Sequence, residues 1–368
     1  MHPALDTRLC SLLGIRYPII QTGMGWVAQP KLVAATCNAG AIGFLATATI
    51  PPNDVDAAIA QIQELTPNPF GVNFLMEAPG ADRVVDAIIR RAVRVASFGR
   101  GPRQDFVDRL KSAGVLCVTT VGAVRHAEKA AQLGADVLIA QGAEGGGHTG
   151  AVPSSILLPQ VTDAVDTVVV GAGGFRDGRG LVAALAFGAS GVAMGTRFLL
   201  TAESPVAPVT KQRYLDASVT DTVVTRAVDG LPQRLIRNEV VAALESGGPA
   251  RRYVRSLRSA LAYRKMTGAS LQELLQAGLS LRSSEKLSRA QVLMAANAPV
   301  LVRTALMEGR PSEGVIPTGQ VAGLIADLPT CAELIERIMG EADATLERLN
   351  PSRQDPAGQR AAQSSERH

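Results

Sequence analysis

Along the first two hundred residues, apolar and polar positions fall into alternating blocks. Apolar runs at 17–23, 41–47, 70–76, 94–98, 116–121, 135–142, 167–174 and 190–196 are near-continuous. That is the pattern of parallel strands buried on both faces, whereas a strand with one wet face would alternate. Between them lie segments such as PKLVAATCNAG, NDVDAAIAQIQEL, RQDFVDRLKSAG, AVRHAEKAAQLG and DGRGLVAALAFG. Each spaces its apolar residues for one face of a helix, and several stop at glycine. Eight strand–helix units in about 200 residues predict an α/β fold, a (β/α)8 TIM barrel. A doubly wound open sheet is the alternative, but eight regular units favour closure.

After Arg197 the pattern changes. Residues 206–300 read as mostly helical, with no clear buried strand, as expected of an insertion that delays the last barrel helix. Over 313–349 a strongly periodic helix pair interrupted by Pro329 is predicted to close the outer ring. From Pro351 onward the chain is polar and is expected to be disordered. The predicted division is a barrel from 1–205 and 301–349, a helical basic insertion at 206–300 covering the mouth, and a tail at 350–368.

Composition narrows the class. A chain of 368 residues that is 46% hydrophobic builds a substantial core, which excludes a disordered or fibrous protein. Aromatics at 4% argue against a stacking surface for nucleic acid. The net charge of +4 is unevenly placed, since 206–290 holds 14 Lys/Arg against 7 Asp/Glu and the remainder 23 against 26. An anionic partner is to be sought on that segment, although a solvated helical face would give the same count. The four cysteines (Cys10, Cys37, Cys117, Cys331) are widely spaced, without a C-x-x-C pair, and read as free thiols of a reducing cytoplasm rather than metal ligands. The start of the chain has no signal-peptide pattern, and the longest uncharged apolar stretch, Gly180–Gly195, is short for a membrane span.

In a βα barrel, chemistry sits at the C-terminal ends of the strands. Strand one ends in Gln21-Thr22-Gly23-Met24-Gly25, strand three contains Asn73, strand five ends in Thr119-Thr120 and strand six in Gln141-Gly142. Strand seven ends in Gly171-Ala172-Gly173-Gly174 and strand eight in Met194-Gly195-Thr196. Glycines after the last two strands let backbone N–H groups approach a phosphate, although glycine is also common in tight βα turns. The sharpest segment is QGAEGGGHTG, where His148 projects from a glycine loop at the mouth. His2 and His368 are terminal and His126 falls on the polar face of a predicted helix, which leaves His148 as the candidate general acid or base. Glu144 reads as a loop anchor. No cluster has metal-ligand spacing, and G-x-S-x-G is absent.

Taken together, PIIQTGMG, PFGVNF, QGAEGGGHTG, VVGAGGFRDGRG, GVAMGTRFL and GQVAGLI resemble the nitronate monooxygenase (2-nitropropane dioxygenase-like) family of flavin-dependent TIM barrels, which includes the flavin-dependent enoyl-acyl-carrier-protein reductases. The resemblance implies FMN. It places Gly23 and Met24 against the flavin ring, and Asn73, Thr120 and Gln141 on its polar edge and ribityl chain. Gly146 and Gly147 would lie along it, Gly173, Gly174, Gly195 and Thr196 would cradle its phosphate, and Gln320 would close over the ring. His148 matches the family's catalytic histidine.

Further segments, among them TGMGWVA, VVTRAVDGLPQR and SRAQVLMAAN, resemble one subgroup acting on CoA thioesters of bacterial steroid C/D-ring degradation. The function this implies is an FMN-dependent oxidoreductase, a dehydrogenase or reductase working on the carbon skeleton of a cyclic acyl-CoA, with NAD(P) as electron partner. Arg251, Arg252 and Arg255, with Arg258, Arg264 and Lys265, would meet the CoA phosphates. The alternatives are a nitronate monooxygenase, an NAD(P)H:quinone reductase, or a flavin-binding protein without turnover. The expected partner is a small molecule, acyl-CoA thioester or nitronate, with no nucleic acid, no membrane and a homodimer as the candidate assembly.

Overall fold

The computed structural model describes residues 1–99, 103–246 and 297–350. Eight parallel strands close a barrel: β1 (Ile19–Gln21), β2 (Ile42–Ala46), β3 (Gly71–Phe74), β4 (Val95–Gly99), β5 (Leu116–Val121), β6 (Val137–Gln141), β8 (Val168–Ala172) and β9 (Val192–Met194). Each falls inside or within a residue of its predicted run. The ring closes where β1 pairs with β9, Ile20 opposite Ala193. The two-residue β7 (Gly147–His148) stands outside the barrel.

Side chains alternate between two environments, as the pleat requires. Ile20, Phe44, Val95, Val118, Val137, Ile139, Val168, Val170 and Ala193 form the barrel interior. Their neighbours Ile19, Leu138, Ala140, Val169, Val192 and Met194 pack outward against the helices. Leu9, Cys10 and Leu13 of α1 (Arg8–Leu13) join the interior cluster, so this helix seals the end opposite the mouth. Burying Leu9 and Leu13 there stabilises the closed floor by roughly 1.5–3 kcal/mol each.

The outer ring consists of α2 (Pro30–Asn38), α3 (Val55–Leu65), α4 (Ala81–Arg90), α5 (Gln104–Ser112), α6 (Val124–Gln132), α7 (Ser154–Ala164) and α8 (Gly178–Ala186). A short α9 (Thr196–Leu199) follows β9, and α10 (Pro208–Leu215) opens the insertion. The reading of 206–300 as free of buried strands needs one correction. Residues Thr222–Thr225 (β10) and Gln233–Ile236 (β11) form an antiparallel hairpin, and β11 also pairs with β7. The cue was present in sequence: β-branched Thr222-Val223-Val224-Thr225 precedes Asp229-Gly230, and Asp-Gly is a turn signal between strands.

The insertion continues with α11 (Glu239–Ser246) and α12 (Asn297–Leu306). The predicted helix pair over 313–349 is instead a single 3-10 turn at Gln320–Leu324 followed by α13 (Cys331–Leu349). Thr330 and Glu333 form a reciprocal capping box at its start, worth about 1 kcal/mol. This helix packs between α8 and α2, taking the place in the ring that belongs to β9. The basic residues Arg251, Arg252 and Arg255 and the tail beyond residue 350 lie outside the described residues.

Candidate active site

The alternation that fills the barrel with Val and Ile turns polar at its C-terminal rim. Asn73, Ser97, Thr120 and Gln141 are the last inward-facing side chains of β3 to β6, Gly99 beyond Ser97 carrying none, and Asn73 pairs in register with Ser97. The Asn73 Nδ2 donates to Ser97 Oγ at 2.9 Å and to Ser97 O at 3.3 Å. Gly23 lies directly over this amide, since a Cβ at 23 would stand 2.5 Å from the Asn73 Cβ. Met24 reaches toward Gly195, its Sδ 3.5 Å from where a Cβ would be. Thr120 is half-buried on the same rim. The donors and acceptors of this rim are neutral amides and hydroxyls.

The loops after β6 and β8 lean on one another. Gly173 and Gly174 take φ of +93° and +82°, a turn that side-chain-bearing residues resist, and leave backbone at the surface of the mouth. Ser154 Oγ donates to Gly173 O at 2.8 Å. Glu144 accepts from Ser154 N and Oγ, both at 3.0 Å, at the first turn of α7, so it anchors the loop. Asp177 caps α8 by accepting from Gly180 N, whereas Gly195 starts α9 with no side-chain cap.

The C-terminal segment completes the wall. Gly319 N donates to Thr196 Oγ1 at 2.8 Å, and Gln320 N donates to Glu144 O at 2.9 Å. Gly146 touches this segment backbone to backbone. The Gln320 amide donates to Val219 O of the insertion at 3.4 Å. Arg234 of the hairpin donates to Ala143 O at 3.0 Å and to Thr222 Oγ1 at 2.8 Å, which ties the insertion to the glycine loop.

His148 stands in β7 at the edge of this loop. Gln141 Nε2 donates to its carbonyl at 2.7 Å. Its Nε2 lies 2.8 Å from Asp229 Oδ2 and 3.2 Å from Gln233 Nε2, and Gln233 Nε2 also donates to Asp229 Oδ2. The histidine side chain is 46% exposed and the aspartate 6%. Burial works against the charge on Asp229. The bonds from His148, Leu231 N and Gln233 outweigh it and hold the carboxyl below the usual range.

The structure thus gathers Gly23, Met24, Asn73, Thr120, Gln141, Gly146, Gly147, His148, Gly173, Gly174, Gly195, Thr196 and Gln320 around one mouth. Sequence reasoning missed Ser97, Asp229 and Gln233. Ser97 sits two residues after Val95 in an alternating strand and was available from that period; the other two required the hairpin.

A family model for nitronate monooxygenase matches residues 6–84 and 80–341. The chain belongs to the nitronate monooxygenase family. It is 48% identical over 349 residues to the (3aS,4S,5R,7aS)-5-hydroxy-7a-methyl-1-oxo-octahydro-1H-indene-4-carboxyl-CoA dehydrogenase of Rhodococcus jostii, across 95% of this chain and 99% of that protein. To a probable nitronate monooxygenase of Staphylococcus saprophyticus it is 34% identical over 284 residues, across 64% of this chain and 80% of that one. Among solved structures, FabK from Thermotoga maritima superposes with a TM-score of 0.74 at 34% identity, across 93% of this chain and 98% of that chain.

The chain is an oxidoreductase of this family, and membership implies a flavin cofactor. The residues fit one. A rim of neutral amides and hydroxyls suits the polar edge of a flavin ring, and the bare backbone of Gly173, Gly174 and Gly195 leaves room that a Cβ would take. Among the described residues, no helix is long and apolar enough to cross a membrane.

Proposed function

We propose that the protein is an FMN-dependent dehydrogenase acting on the carbon skeleton of a cyclic acyl-CoA in steroid ring degradation, with His148 exchanging the proton. The observation that carries this reading is the reach of the similarity. The likeness to the indene-carboxyl-CoA dehydrogenase runs through 95% of this chain, while the likeness to the nitronate monooxygenase covers 64%. A flavin held by these residues would supply the two-electron acceptor for a hydride leaving a substrate carbon.

The chain's own residues supply the rest. Gly23, Met24, Gly146 and Gly147 present backbone and a soft side chain to the ring, and Asn73, Thr120 and Gln141 hold its polar edge. Gly173, Gly174, Gly195 and Thr196 receive the phosphate, with Gln320 at the rim. His148 accepts the proton that leaves the substrate as the hydride departs, which balances loss of two hydrogens from the carbon skeleton. In this reading residues 1–205 and 301–349 carry the cofactor, and 206–300 covers the mouth and excludes water. Arg251, Arg252 and Arg255 of that segment bind the CoA phosphates, and neutralising them raises the thioester KM. The buried free thiols suit a reducing compartment, the cytoplasm.

Anaerobic stopped-flow absorbance tests the reading. Purified, flavin-loaded protein is mixed in turn with a bicyclic 5-hydroxy-indane carboxyl-CoA, a nitronate, NADH and NADPH. Fast bleaching by the thioester, abolished in His148→Ala with flavin retained, is the expected result. Bleaching by the nitronate alone would overturn it in favour of nitronate oxidation, the activity the family is named for.

A further inference from the structure

We infer that Asp229 is a positioning residue for His148: it fixes the imidazole with its proton on Nε2 and leaves Nδ1 as the nitrogen that exchanges a proton with substrate. This deepens the proposed function and rests on its reading of His148 as the proton-exchanging group. The assignment follows from what Asp229 accepts. Its Oδ1 takes Leu231 N at 3.1 Å, and its Oδ2 takes the Gln233 amide nitrogen and faces His148 Nε2 at 2.8 Å. An ionised carboxylate only accepts, so Nε2, 2.8 Å from Oδ2, must bring the proton, and the Gln233 amide, which also lies 3.2 Å from Nε2, gives its hydrogen to Asp229. In the neutral ring the lone pair is then on Nδ1.

The arrangement is built by the sheet. Gln233 lies directly opposite His148 in the β11–β7 pairing, which puts their side chains on the same face. Asp229 sits in the loop leading into β11, held by its bond from Leu231 N. Thr149 N donates to Pro232 O at 3.1 Å and Arg234 grips Ala143 O, so the pairing is clamped on both sides. A slip of one residue would carry Gln233 to the other face and strip His148 of both partners.

When His148 takes a proton at Nδ1, the ring becomes an imidazolium whose charge the nearly buried Asp229 balances; the proton is later released to water and the neutral ring is restored. The insertion therefore supplies part of the proton-transfer apparatus as well as a cover. Neither the barrel nor the hairpin holds it alone.

The test uses flavin-loaded protein labelled with 15N-histidine, studied by NMR at alkaline pH where imidazoles are neutral. The chain has four histidines, so the His148 signals are assigned by their loss in His148→Ala. The expected result is an Nε2–H proton shifted downfield and protected from exchange, lost in Asp229→Ala and moved back upfield in the shape-conserving Asp229→Asn, whose neutral amide oxygen is a weaker acceptor. The same variants should retain flavin and keep KM within about threefold while kcat falls about 10²-fold, a part of what a general base contributes.

An Nε2–H signal unchanged in both variants would overturn the assignment. A signal lost with kcat unchanged would show that the bond is structural, which overturns the positioning role. Full turnover in His148→Ala would remove the base itself and the role of Asp229 with it, an outcome separable from the other two because in them His148→Ala is inactive.

Discussion

Replacing Gly146 by alanine sets the glycine loop against the C-terminal wall of the mouth. A Cβ at 146 would stand 2.5 Å from Gly319 N and 2.5 Å from Thr318 C, both backbone atoms of one strap. Ordinary contacts begin about 1 Å further out, so the strap must move by roughly that much. Overpacking of this kind costs about 1–3 kcal/mol. The strap is held by Gly319 N on Thr196 Oγ1 and Gln320 N on Glu144 O, and weakening either adds about 0.5–1.5 kcal/mol. The expected loss is about 2–4 kcal/mol, or roughly 4–8 °C in melting temperature at about 2 °C per kcal/mol for a chain this long.

Its neighbour is the control. Gly147 has nothing within 4 Å of an added Cβ but takes φ +65°, so alanine there meets only the backbone penalty, about 1–2 kcal/mol. Thermal denaturation of flavin-free protein ranks the two, and flavin retained through gel filtration gives a second readout. The Gly146 variant should melt lower and lose cofactor, with the Gly147 variant nearer wild type. Equal melting temperatures, or a Gly146 variant that keeps its flavin and its stability, would refute the backbone contact as the reason for glycine at 146.

Arg197 is buried, donating to Asp327 Oδ1 at 2.8 Å and to the Leu200 and Asp327 carbonyls, so Asp327→Asn leaves its charge without a counter-ion. The cost by urea unfolding should be about 2 kcal/mol, below the ~3–5 kcal/mol of a fully buried pair because Asp327 is 42% exposed. Burial opposes the charge on Asp327, but Arg337 and Arg197 outweigh it and depress its carboxyl, so this stabilisation is complete above the unfolded value of about 4 and is lost as pH falls through the folded one. Wild-type stability should drop faster than that of Asp327→Asn on that acid side. Burial pushes the Cys37, Cys117 and Cys331 thiols up to about 12; a disulfide reagent at pH 8 should leave all three unmodified until denaturant is added, and native-state labelling of any would contradict their burial. Tyr214, fully buried, donates to Pro317 O at 2.6 Å, so Tyr214→Phe orphans a carbonyl beside the hairpin and should cost about 1–2 kcal/mol in urea unfolding.

Much of the rim was legible before the fold was known because strand ends in a βα barrel converge on one face. Asn73 and Gln141 needed only a strand assignment and a direction along it. Ser97 needed one step more, the alternation that puts it inward beside Asn73. The hairpin was misread because Thr222-Val223-Val224-Thr225 is short and lies in a basic stretch whose wider spacing suits helices. Its half-buried strand carries no continuous apolar run like those of the barrel.

Local patterning reports how deeply each segment is buried, and that alone determined eight strands, their order and the direction of the mouth. It carries no record of which distant residue arrives opposite. Asp229 meets His148 across 81 positions through the register of β11 on β7, and Gly146 meets Gly319 through a strap that returns after the whole insertion. Such partners are chosen by packing and backbone pairing between elements, because a hydrogen bond or a close approach depends on positions in space that no single segment specifies. The histidine was written in the chain; its carboxylate partner was decided by the tertiary fold.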